Sequence, residues 1–149
     1  MAGAFKTQPN DWSCGVLAVW NALHALGYDA NYHDIRKLSK ANPRNGTERQ
    51  GMIRAVNGLG YRAIPYRSHN ANNAWSFARR WAMRNPIIAL VDGHTHYFTI
   101  SGVIDGRIIV VDSGANTAGN EMGAFVFSKQ ELLERWIHRG SVYGIRVSR

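Results

Sequence analysis

The residues from Pro86 to Ser113, PIIALVDGHTHYFTISGVIDGRIIVVDS, constrain this chain more than any other stretch. They are dense in β-branched and aromatic residues, which suit a pleated surface and not a helix interior. Asp105-Gly106 supplies the left-handed dihedrals of a tight hairpin turn. The reading is a strand over PIIALVD and then a hairpin of HYFTISGVI and RIIVVDS. Antiparallel pairing follows, because so short a connection cannot cross over to a parallel neighbour.

Before Pro86 the period changes. SCGVLAVWNALHALGY places Val16, Leu17, Val19, Trp20, Leu23 and Leu26 in helical recurrence. Ser13 is the expected N-cap and Gly27 the stop, so Cys14 falls in the first turn. NYHDIRKLSK reads as a second helix, and TERQGMIRAVNGLG as a third, opened by a Thr47 to Gln50 capping box and closed at Gly60. YRAIPY is extended, with Pro65 marking an edge strand or a strand end. In NAWSFARRWAMRN, Trp75, Ala78, Trp81 and Ala82 share a face, Arg79, Arg80 and Arg84 lie off it, and Pro86 ends the helix. After the hairpin come AFVF, a helix SKQELLERWIHR with a Ser128 to Glu131 capping box, and a last strand VYGIRVS. Helices first and strands later indicate an α+β fold, a helical N-terminal half packed on an antiparallel sheet, with residues 1–149 as one domain.

Composition narrows the class. At 149 residues with 45% apolar side chains, the chain can bury a core without disulfides or metals. A single Cys forms no internal disulfide, and neither a secretory signal nor a membrane-length apolar run is present, so a cytoplasmic monomer is the expectation. The 18 Lys and Arg, 14 of them Arg, against 10 Asp and Glu give a net charge of +8. Such a charge favours acidic partners, nucleic acid or an acidic protein among them. The Trp and Arg of WSFARRWAMR fit a base-stacking surface less well than a core, because the Trp spacing is helical.

Cys14 raises the question of chemistry. A Cys on an apolar helix is ordinarily filler. One at a helix start, with a base in reach, can be a nucleophile, because the helix dipole and a neighbouring imidazolium both favour thiolate. Of the six His, His24 and His33 lie on or beside helices near the surface, His69 sits in the Asn-rich RSHNANN loop, and His138 belongs to a last helical turn. His94 and His96 stand at the mouth of a strand, on one face by the period of two. The hairpin brings its start near the end of its partner, so His96 and Asp112 are expected to be neighbours. A carboxylate there would orient the imidazole and stabilise its charged form. Gln8, six positions before Cys14, can add a side-chain donor to the backbone N–H of Cys14 in an oxyanion hole. Asp92, His94 and His96 also alternate like metal ligands, but no second cluster completes a tetrahedral set, so neither a metal nor another cofactor is expected.

Gln8, DWSCG, HYF and VVDS, in that order, resemble the papain-like cysteine peptidases, most closely the C39 family, whose bacterial members cut leader peptides after double glycine. The segments GTERQGMIRAVNGLGYRA and NPIIALVDGHTHYFTISGVIDGRIIVVDSG extend the likeness over most of the chain. The resemblance implies a papain-like fold, with Cys14 as nucleophile, His96 as base, Asp112 as its orienting partner and Gln8 as oxyanion donor. It also implies a peptide or protein substrate with Gly or Ala before the cut. Ser13 stands where transporter-linked members commonly carry Asp, and no transporter segment follows, so a stand-alone peptidase is expected. Two other readings remain open. The same thiol chemistry serves deamidation or acyl transfer on a protein, and a silent peptidase fold could act as a basic binding module.

Overall fold

The computed structural model describes residues 12–114 and 123–149. Among these, five helices and six strands run in the order α1 (Cys14–Ala25), α2 (Tyr32–Ser39), α3 (Arg49–Gly58), β1 (Arg62–Ser68), α4 (Ala71–Trp81), β2 (Ile87–Val91), β3 (His96–Ile104), β4 (Arg107–Asp112), β5 (Gly123–Phe127), α5 (Lys129–Trp136) and β6 (Val142–Ser148). The strands form one antiparallel sheet in the order β1-β6-β2-β3-β4-β5. The α+β, papain-like expectation holds. Its layering is richer than a helical half on a sheet, because helices cover both faces.

Alternation along β2 shows why. Ile88 and Leu90 join α1, α2 and α3 in one cluster, while Ile87, Ala89 and Val91 join α4 and α5 in another. A strand buried on both faces has no polar side to show, which accounts for the unbroken run IIALV. Each fully buried Ile or Leu in these layers contributes about 1.5–3 kcal/mol relative to exposure. Trp136 closes the second layer, and its buried indole N–H donates to the Tyr143 carbonyl at 2.8 Å. Pro65 sits in edge strand β1, where a missing N–H is tolerated. The strand β6 passes between β1 and β2, so the last residues of the chain belong to the middle of the sheet.

Helix signals that depend on neighbours in sequence are realised unevenly. Ser128 and Glu131 form the reciprocal capping box of α5. Thr47 and Gln50 do not form theirs, because α3 starts at Arg49 with Glu48 as its N-cap. The Thr47 hydroxyl donates instead to the Trp12 carbonyl, at 3.4 Å. Ser13 precedes α1 but makes no side-chain cap. His138 lies past the end of α5, paired by its backbone with Ser141, and not in a helical turn.

Candidate active site

Helix α1 presents Cys14 as its first residue, so its N–H is one of those at a helix start that have no intrahelical acceptor. Two contacts hold this helix start against the rest of the molecule. Thr99 on β3 donates its hydroxyl to the Ala18 carbonyl at 2.9 Å, which pins α1 to the sheet. Gly15 packs against Thr47 so closely that a Cβ there would stand 2.5 Å from the Thr47 Cβ. The loop before α3 therefore lies directly on the first turn of α1. Cys14 itself is 8% exposed and lines a cleft of about 690 Å3.

His96 opens β3 and Asp112 closes β4, the two ends that the hairpin brings together. Thr99 pairs with Val111, so continuing the ladder sets Phe98 opposite Asp112 and places the carboxylate diagonal to His96. The His96 Nε2–H donates to Asp112 Oδ1 at 2.7 Å, with both side chains buried. The same oxygen accepts the Gly114 N–H at 2.9 Å, a local turn that aims the carboxylate. The other ring nitrogen, Nδ1, is buried without a well-formed hydrogen bond, and Cys14 is near enough to the ring to raise its pKa. Burial pushes the imidazole pKa down, but hydrogen bonding to Asp112 and Cys14 and their negative charges prevail and raise it from 6.5 to about 9. The His96 ring therefore favours its charged form at neutral pH, with the Asp112 carboxylate on Nε2.

Sequence reasoning missed the second partner of Asp112. Arg135, near the end of α5, donates Nη1–H to Asp112 Oδ2 at 3.3 Å and spans Asp92 with two bonds of 2.8 and 2.6 Å. Its guanidinium also lies 5.0 Å from the Phe98 ring centre. Asp92, Asp112 and Arg135 come from three separate elements, so no local spacing announces the cluster. The one available hint is an Arg next to the buried Leu132 and Trp136 of its helix.

The Asp92, His94, His96 alternation is not a strand face. Asp92, Gly93 and His94 all have positive φ, making a turn that ends before β3 begins. His94 is exposed, its ring centre 4.5 Å from that of His138 and its Nδ1 3.4 Å from Arg49 Nη2. Asp92 faces Arg135. These three side chains thus do not converge as ligands. Gln8, the expected oxyanion donor, lies outside the described residues.

A family model described as the peptidase C39 family matches residues 4–138. The fold matches the peptidase domain of Streptococcus ComA, a bifunctional ABC transporter of a quorum-sensing pathway, with a TM-score of 0.71, 18% identity and 96% of each chain covered. It matches equally, at 0.71 and 15% identity, a double glycine motif protease from an AMS/PCAT transporter in complex with its leader peptide, over 95% of this chain and 89% of that one. The Streptococcus mutans ComA peptidase domain gives 0.62 and 18% identity over 97% and 98% of the two chains. No curated protein matches the chain significantly.

Proposed function

The chain belongs to the peptidase C39 family and is a cysteine peptidase, and from that premise we propose that Cys14, His96 and Asp112, with Gln8, carry the reaction. The observation that carries this reading is the buried His96 ring hydrogen-bonded to Asp112 through Nε2 at 2.7 Å, supported by a pKa that Asp112 and Cys14 both raise. The sulfur of the Cys14 thiolate attacks the scissile carbonyl carbon, and the C–S bond forms as the carbonyl electron pair moves to oxygen. The Cys14 N–H and the Gln8 side-chain amide receive that charge. His96 gives its Nδ1 proton to the leaving amine nitrogen, the C–N bond breaks, and a thioester remains. The now neutral His96 takes a proton from water, and the resulting hydroxide attacks the thioester. The C–S bond breaks, releasing the acid and restoring the thiolate and imidazolium.

Trp12, Thr47 and Tyr97 line the cleft together with Cys14. Such bulk beside the nucleophile supports a substrate with Gly or Ala before the cut, as does the likeness to a double glycine motif protease. The insertion of β6 between β1 and β2 supports one peptidase domain that reaches past residue 138. Among the described residues no helix is long and apolar enough to cross a membrane.

The test is incubation with a Gly-Gly peptide vinyl sulfone followed by intact mass, beside cleavage of the matching amide peptide. The wild type should gain one adduct on Cys14 and cut after the second Gly, and Cys14→Ala should do neither. Cleavage that persists in Cys14→Ala would end the assignment.

A further inference from the structure

Beyond Cys14, the cleft carries two cations with no carboxylate partner among the described residues. Arg49, the first residue of α3, is half-buried and holds its guanidinium 4.4 Å from the Tyr143 ring centre. Arg67 on edge strand β1 is exposed, pairs in register with Tyr143, and places its guanidinium 5.4 Å from the same ring. Arg49 also approaches His94, with Nη2 3.4 Å from its Nδ1. One aromatic ring thus carries two guanidinium groups, and both line the cleft that Cys14 lines.

The carboxylates of the described residues leave these cations unpaired. The ion pairs are His96 with Asp112, and Arg135 with Asp92 and Asp112. Glu48 is the only acidic lining residue described, and it stands outside ion-pair distance of both Arg49 and Arg67. His94 registers the resulting field: burial first, then the charges of His138, Arg49, Arg67 and Arg139, hold its pKa below 6.5. Two cations on one ring with no carboxylate partner among the described residues are poised for a planar acceptor, which Arg binds through two parallel N–H bonds.

We propose that Arg49 and Arg67, set over Tyr143, form a subsite for the side-chain carboxylate of a Glu or Asp close to the scissile bond of the substrate. The inference rests on the reading of this cleft as the place where a peptide is bound and cut. It adds a specificity that bulk around Cys14 cannot supply, since small residues at the cut carry no charge. A carboxylate in the subsite would neutralise the repulsion between the two guanidinium groups and leave their stacking on Tyr143 in place.

The experiment uses full-length Cys14→Ala and fluorescein-labelled, C-terminally amidated peptides with a central Gly-Gly, bearing Glu or Gln at each flanking position in turn. At one or two positions Glu should bind about tenfold more tightly than Gln, with the gap shrinking as salt is added. Arg67→Gln and Arg49→Gln should each erase most of the gap. Arg67→Glu, at an exposed strand position that does not threaten folding, should shift preference toward Lys at the same position. Overturning results are no position with more than about a twofold gap, a gap that survives Arg49→Gln/Arg67→Gln, or an Arg-dependent affinity for oligodeoxythymidine with none for Glu peptides. Parallel cleavage of the same peptides by the wild type separates the two claims. A Glu preference in binding without cleavage keeps the subsite and removes the hydrolytic reading; cleavage indifferent to Glu does the reverse.

Discussion

Replacing Asp112 with Asn removes one charge from a buried pair and keeps its shape, so it isolates what the carboxylate does to His96. The imidazole is raised from 6.5 to about 9 against the opposing effect of burial, and the bond to Asp112 is the largest cause acting upward. The interval from 6.5 to about 9 is worth on the order of 3 kcal/mol of preference for the charged ring. An Asn oxygen can still accept the Nε2–H at 2.7 Å, but without the charge, while burial keeps pushing the pKa down. The midpoint of His96 in Asp112→Asn should therefore fall by more than one pH unit. The sign of the stability effect follows. A folded pKa above the ordinary value stabilises the native state fully below about pH 6.5 and loses that contribution as pH rises from 6.5 through about 9. The wild type should thus lead the variant most at pH 6, and the pH-dependent part of that lead should vanish above pH 9. Histidine-labelled nitrogen NMR follows the ring directly, and thermal unfolding across the same pH range follows the linkage. A His96 midpoint in Asp112→Asn that stays near 9 would refute the argument, because the proton would then be held by something other than this carboxylate.

Iodoacetamide should alkylate Cys14 at pH 6 much faster than a free thiol, and His96→Ala should lose that advantage, as read by intact mass against time. Gln8→Ala should lower kcat by about 10- to 1000-fold with little change in KM while Cys14 alkylation persists, since alkylation builds no oxyanion. Arg135→Met should lower kcat about tenfold through a misaimed Asp112 and cost about 1–3 kcal/mol of stability. Its kcat pH profile should lose its alkaline limb earlier than that of the wild type, an effect that a purely structural role would not produce. Gly15→Ala should destabilise by about 1–3 kcal/mol, because its Cβ meets Thr47 with no room to relax, and calorimetry reads the shift.

The parts of this fold that could be read from sequence are those decided within a few residues. The Ser128 to Glu131 box works because both partners sit in one turn, and the Asp105-Gly106 hairpin works because both residues accept positive φ. Thr47 carries the same box signature as Ser128 and fails, because a partner 35 residues away, the Trp12 carbonyl, takes its hydroxyl and Gly15 takes its methyl side. The strand HYFTISGVI is found as read, at His96–Ile104, but the alternation that set Asp92 and His94 on the same strand face as His96 fails for a related reason. Period-two alternation cannot distinguish a strand from a turn in which Asp92, Gly93 and His94 all turn left-handed.

The site divides along the same line. His96 and Asp112 could be paired from sequence because hairpin geometry fixes which ends meet, whatever else the chain does. The approach of Cys14 to that pair depends on how α1 lies across β3, and its sequence correlate is a Thr at position 99 reaching the Ala18 carbonyl. No periodicity encodes a bond across 81 residues, so the link rested on the base that Cys14 requires and on resemblance. Arg135 had neither route. Its role exists only once α5 has docked on the face opposite α1 and brought a guanidinium to the far oxygen of Asp112. The two layers of helices thus reach the same hairpin end from opposite sides: α1 brings the thiol near the His96 ring, and α5 steadies the carboxylate on its Nε2. A sheet covered on one face could hold the Cys14 thiol or the support for the His96 partner, but not both.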